Sequence, residues 1–230
     1  MFANFDFDVI RRSLGYLFID GMTFTLTLTG LAALGGLIFG TLLALMRLSG
    51  FKWLGRIAGL YVDLMRSLPL VLVIFWFYFL VPYLGQWLTG SSRPVRVGAF
   101  TSSLVTFSMF EAAYFSEIMR AGIQSISKGQ PAAANALGLT YGQTMRYVVL
   151  PQAFRNMLPV LLTQTIVLFQ DTSLVYVLSI PDFLGAASKV AQRDGRLVEM
   201  YLFAAAVYFV ISCAASFGVR RLQARISIVR

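Results

Sequence analysis

The chain contains no histidine and a single cysteine, Cys213. Imidazole acid/base catalysis, Cys/His metal sites and an internal disulfide are therefore excluded, so no metal or other cofactor is expected. A Gly-rich Lys-Ser/Thr phosphate loop is also missing, which means that any ATP driving this protein is hydrolysed on another subunit. Charged residues make up only 13% of the chain, and no basic cluster is interleaved with a recognition surface. A net charge of +9 thus does not imply nucleic acid. No inverted repeat is detectable, which opposes an ion-coupled carrier. Residues 1–19 lack an uninterrupted apolar core, because Asp6, Asp8, Arg11 and Arg12 interrupt them. They read as an amphipathic surface helix rather than a cleavable signal, with Ile10, Leu14 and Leu17 on one face and Phe2, Phe5 and Phe7 as anchors.

What is present in quantity is hydrophobic sequence. At 58% hydrophobic residues and a mean hydropathy of +0.74, the 230-residue chain is too apolar for a soluble domain. Its apolar runs are continuous rather than alternating, so they predict helices and not a membrane barrel. The expected fold is an all-α polytopic membrane protein with five transmembrane helices at about 21–46, 57–84, 97–119, 156–180 and 199–219, each near the roughly 20 residues a bilayer needs. Gly30, Gly35, Gly36 and Gly40 in the first span predict close helix contacts. Pro69 predicts a kink in the second. Residues 181–198 read as an external loop, and 220–230 as a basic tail.

Polar residues inside these spans are the candidate functional groups. Glu111 falls near the middle of the third. Thr163, Gln164, Gln170, Asp171, Thr172 and Ser173 interrupt the fourth and cannot share one narrow helical face, which predicts a broken or widened helix beside a polar cavity. For both sets, interhelical hydrogen bonding without ligand contact is the alternative. Asp63 and Arg66, three residues apart, read as a local pair or a headgroup contact, with Arg66 also a candidate for the partner contact or the pathway. Glu117 and Arg120 read as a structural pair.

Residues 121–155 break the apolar pattern. Gly129–Pro151 reads GQPAAANALGLTYGQTMRYVVLP. Pro131 and Gly138 delimit a short helix. Thr140 and Gln143, at capping-box spacing, start a second that ends before Pro151. The product is a helix–Gly–helix elbow with an alanine tip at Ala132, Ala133, Ala134 and Ala136, small enough for another protein's groove to approach closely.

Ala132-Ala133-Ala134, then Gly138, then Val148-x-Leu150-Pro151 resembles the EAA signature of ABC importer membrane subunits, with Ala132 where Glu is usual. Glu117–Ile123, Gly129-Gln130, Leu150–Arg155 and Asp171–Leu174 are similar to the polar amino acid permease branch, closest to the smaller membrane subunit of bacterial glutamate/aspartate importers. That resemblance implies a type I ABC importer transmembrane domain in the inner membrane, itself not an enzyme. It also implies an ABC ATPase dimer docked on Gly129, Gln130, Ala132, Ala133, Ala134, Gly138, Leu150 and Pro151. A periplasmic amino-acid-binding protein and a second related permease subunit complete the expected partners, a homodimer being the alternative. Lys128, Arg146 and Arg155 are expected to offset the missing Glu. The substrate pathway is expected at Arg66, Glu111, Gln164, Gln170, Asp171, Thr172 and Ser173, where the family often has Lys at the position of Gln170. Placing the elbow and tail in the cytosol puts the larger share of Lys/Arg inside and leaves the N-terminus periplasmic. An intramembrane enzyme using Glu111 and Asp171 remains the alternative from another class.

Overall fold

The computed structural model describes residues 5–226. Phe2 and Arg230, expected as an anchor and as part of the basic tail, lie outside them. Eight helices account for the regular structure of the described residues: α1 Phe7–Leu48, α2 Lys52–Ser67, α3 Leu70–Thr89, α4 Ala99–Gln124, α5 Gly129–Ala136, α6 Tyr141–Leu178, α7 Phe183–Asp194 and α8 Leu197–Ile226. Four of them, α1, α3, α6 and α8, are long and apolar enough to cross a membrane. Helix α4 has 26 residues, but buried Ser102, Ser103, Thr106, Ser108, Glu111 and Ser116 make it more polar.

Several boundaries differ from expectation. The amphipathic segment is not a separate surface helix, because α1 runs unbroken for 42 residues from Phe7. Asp6 caps its start by accepting from the backbone N–H groups of Asp8 and Val9. Nothing from Phe7 to Leu48 removes a backbone donor, and a π turn at Tyr16–Met22 absorbs the change of register instead of ending the helix. Its buried face is Val9, Ser13 and Leu17, whereas Leu14 is exposed. The span expected over 57–84 is divided: α2 stops at Ser67 because the residue before a proline disfavours the helical conformation. Pro69, with ψ of 128°, then begins α3 rather than kinking one helix.

Pro151 does not end a helix either. A π turn at Met145–Val149 includes the position four residues before it, where the proline ring would otherwise meet a carbonyl, and α6 continues for 38 residues. Pro159 lies inside the same helix. The stretch expected as an external loop contains α7, whose face of Phe183, Ala186, Ala187, Val190 and Ala191 is buried at helical spacing.

The chain forms two compact units. One comprises residues 1–34, 68–108 and 166–215. In it, α7 packs on Leu17 and Met22 of α1, Phe169 of α6, and Met200 and Ala204 of α8. A second core in the same unit joins Leu28 and Ala32 to Ile74, Phe107, Leu168 and Val175. The other unit comprises residues 35–67, 109–165 and 216–230. There Ala44 of α1, Phe115 and Met119 of α4, and Leu161 of α6 form the core.

Close helix approach explains two of the four glycines in the first span. A Cβ at Gly36 would lie 2.7 Å from the Cβ of Glu111, and one at Gly40 would lie 2.9 Å from that of Phe115. Gly30, by contrast, meets nothing within 4 Å. Without hydrophobic driving force between helices in lipid, such contact depends on small residues. Gly36→Val should therefore lower the thermal midpoint of the detergent-solubilised protein, the cost being about 1–3 kcal/mol from overpacking, while Gly30→Ala should leave it unchanged. Equal midpoints for the two variants would refute the close-contact reading.

Candidate functional site

Glu111 is 1% exposed, and its Oε1 accepts a hydrogen bond of 3.2 Å from Gln164 Nε2. Helix α4 supplies the carboxylate and α6 the amide, and the absent side chain of Gly36 makes room for Glu111. Arg66 belongs to the same unit but is exposed. Its guanidinium lies 5.5 Å from the centroid of the Tyr114 ring, and no ion pair joins it to Asp63 among the described residues. The expected local pair is thus replaced by a cation–π contact.

The remaining pathway candidates belong to the first unit. Gln170 Nε2 donates to Ser212 Oγ of α8 at 3.0 Å. Asp171 is half-buried and ends the α-helical part of α6. Thr172 is fully buried with its hydroxyl donating to the carbonyl of Phe169 at 2.7 Å, and a 3₁₀ turn runs from it to Leu178. Ser173, on that turn, is half-buried. The helix therefore tightens rather than widens where the polar residues fall. Glu111 and Gln164 meet directly, and Gln170 through Ser173 form a separate polar group.

Glu117 accepts from Arg120, as expected of that pair, and also from Arg47 of α1 at 2.5 Å. Residues 121–155 are built by local rules. Gly138, at φ +82°, lets the backbone reverse after α5. Its N–H bonds the carbonyl of Asn135 at 2.9 Å and that of Leu139 bonds Ala134 at 3.2 Å, a Schellman pair that closes the helix. Thr140 and Gln143 then form a reciprocal capping box. Gln152 Nε2 to Gln130 Oε1, at 3.5 Å, ties the start of α5 to α6. Ala132, Ala133 and Ala136 are exposed, but Ala134 is only 4% exposed and does not belong to the tip. Gly129, Gln130, Gly138, Leu150 and Pro151 are exposed. The tip also presents Leu137, Tyr141 and Tyr147 to the outside, at 82%, 79% and 64% exposure. Sequence reasoning passed these over, although three large apolar residues in so short a polar stretch were a usable signal.

Asp182 is the other residue missed. It lies between α6 and α7, is fully buried, and accepts from the N–H groups of Leu184 at 3.0 Å and Gly185 at 2.9 Å, capping α7. Burial pushes its carboxyl up to about 7, against the hydrogen bonds that favour the anion.

Residues 36–228 match the family described as "Binding-protein-dependent transport system inner membrane component". The chain belongs to this family. It is 55% identical over 222 residues, 96% of this chain and 98% of the relative, to the "Glutamate/aspartate import permease protein GltK" of Escherichia coli O157:H7. It is 33% identical, over 91% of this chain and 93% of the relative, to the "Probable glutamine ABC transporter permease protein GlnM" of Bacillus subtilis strain 168. A solved structure, "Crystal structure of an amino acid ABC transporter with histidines", aligns with a TM-score of 0.86 at 33% identity, covering 96% of this chain and 98% of that one. The MetNI methionine transporter, at 17% identity and a TM-score of 0.74, shares the fold. The protein is accordingly a multi-pass inner-membrane permease, a transport subunit whose ATP is hydrolysed elsewhere. Family members work with an ATPase, a binding protein and a second permease subunit.

The sign of the Asp182 effect on stability follows from linkage. A free aspartate titrates near 3.9, so between about pH 4 and pH 7 the unfolded chain releases this proton first and folding becomes less favourable as pH rises. The stabilisation is complete below about pH 4 and gone above about pH 7, with an upper bound of about 4 kcal/mol. Thermal midpoints should thus fall from pH 5 to pH 8, and Asp182→Asn, which keeps the cap, should flatten that slope. A slope equal in both proteins would exclude Asp182 as its source.

Proposed function

We propose that this chain is the permease subunit of an ATP-driven importer of glutamate and aspartate, accepting substrate from a periplasmic binding protein. The observation that carries the cargo is the 55% identity to a glutamate/aspartate import permease along nearly the full length. In this reading α4 provides the fifth span, its buried Ser, Thr and Glu side chains facing protein rather than lipid. The N-terminus is periplasmic, and the elbow at 121–155 and the basic tail are cytosolic.

The elbow transmits motion. A docked ATPase contacts Ala132, Ala133 and Ala136 together with Leu137, Tyr141 and Tyr147, while Lys128, Arg146 and Arg155 supply the charge contacts that a Glu at Ala132 would have made. Because α6 runs from the elbow to Asp171 and on to Leu178 without a stop, displacement of its cytosolic end is carried to Gln164 and Gln170. The pathway candidates are Arg66, Glu111 and Gln164 in the second unit and Gln170, Asp171, Thr172 and Ser173 in the first. A single such chain does not enclose a path, so a related second permease pairs with it.

The machine is tested by uptake of labelled glutamate into proteoliposomes holding both permeases and the ATPase, with the binding protein outside. Uptake should require ATP and be competed by aspartate. Glutamine competition instead would assign the cargo of the Bacillus relative, and ATP-independent uptake would refute the proposal.

Coupling is tested separately at Gly138. Its φ of +82° costs about 1–2 kcal/mol for a residue with a side chain, so Gly138→Asp should leave the permease inserted but reduce ATP-driven uptake at least tenfold. Wild-type uptake by that variant would remove the elbow from the mechanism.

A further inference from the structure

Where α1 ends, α2 begins and α4 ends, the second unit contains a concavity of about 500 Å³ lined by Arg47, Lys52, Arg56, Arg120 and Gln124, with Gly59 leaving its wall open. Two of its guanidinium groups share one carboxylate: Glu117 accepts from Arg47 at 2.5 Å and from Arg120. Arg120 is held further by Gln124 Oε1 at 2.5 Å. Lys52 and Arg56, one turn apart on α2, are exposed. Asp63 is the other acidic side chain acting on Arg120. Four cations against Glu117 and Asp63 leave the concavity positive, the positive end of the α2 dipole being offset by the negative ends of α1 and α4.

Directly beside this basic stripe, Trp53, Ile57, Leu60 and Leu64 follow one another at i, i+4, i+7 and i+11 on α2, exposed by 61%, 56%, 72% and 56%. The opposite face, Ala58, Val62 and Met65, is buried. A soluble anion would use only the cations. A ligand with a phosphate at one end and acyl chains at the other uses both stripes.

We propose that this concavity seats the phosphate of an anionic phospholipid, with its acyl chains lying along Trp53, Ile57, Leu60 and Leu64. Arg47 and Arg120, pre-oriented by Glu117, form the fixed wall of the seat. Lys52 and Arg56 close over the phosphate from α2. Such a lipid ties the ends of three helices together on the side where α4 leads into α5, so its presence stiffens the support of the elbow.

The chain has three tryptophans, Trp53, Trp76 and Trp87. The full-length Trp76→Phe/Trp87→Phe variant in phosphatidylcholine vesicles thus reports from Trp53 alone, through quenching by brominated phosphatidylglycerol or brominated phosphatidylcholine. Phosphatidylglycerol should quench preferentially, and Lys52→Gln or Arg56→Gln should each reduce that preference about fivefold. Arg146→Gln, on the elbow, should leave it unchanged. Equal quenching by the two lipids, or a preference indifferent to Lys52→Gln and Arg56→Gln, would overturn the proposal. Loss of the preference on adding millimolar inorganic phosphate at constant ionic strength would also overturn it, by assigning the seat to a soluble anion.

Discussion

The buried carboxylate of Glu111 is the constraint around which the second unit is arranged. Glu111 is held in place because α1 presents glycine at positions 36 and 40, which lets α4 approach closely, and because Gln164 reaches it from α6. The contact of small residues and the apolar core at Ala44, Phe115, Met119 and Leu161 hold the helices of this unit together. An ionisable residue at such a position is by default a functional hypothesis, and on that ground Glu111 stands in the proposed pathway.

Helices were readable in the sequence from uninterrupted apolar runs, and the turn after α5 and the start of α6 from Gly138 and the Thr140–Gln143 spacing, because these are local effects with a fixed sequence signature. Close approach was not: of four glycines at similar spacing, Gly36 and Gly40 meet α4 and Gly30 meets open space, a distinction that depends on where the neighbour lies. Two prolines misled in opposite directions. Pro69 separated two helices instead of kinking one, while Pro151 was carried inside α6 behind a π turn that no residue type announces.

Pairing was the least legible level. Spacing of three joined Glu117 to Arg120 correctly but could not supply Arg47, which lies seventy residues away in sequence. The same spacing joined Asp63 to Arg66, where tertiary packing instead set the guanidinium over Tyr114. Helix α7 was hidden for a different reason. Its charged residues at Lys189, Arg193 and Asp194 resemble a solvated loop, yet its small buried face of Ala186, Ala187, Val190 and Ala191 had the period of a helix throughout.

Mechanical transmission requires that a load on the elbow not be dissipated in bending. Three features of α6 bear on this. Its first turn is closed by the reciprocal capping box at Thr140 and Gln143, the side chain of Thr144 is tied to that of Asn135 in α5 at 3.4 Å, and Gln152 contacts Gln130. Each bond is weak alone, at about 1 kcal/mol, but the last two fix α5 to α6 at separate points, which resists rotation where one bond would act as a pivot. Backbone donors are missing at Pro151, just after the π turn at Met145–Val149, and at Pro159, and the helix changes pitch at the 3₁₀ turn after Asp171. Gln164 and Gln170 fall between Pro159 and that turn. In the proposed coupling, displacement of the elbow would be taken up at these points and reach the polar residues as a local rearrangement.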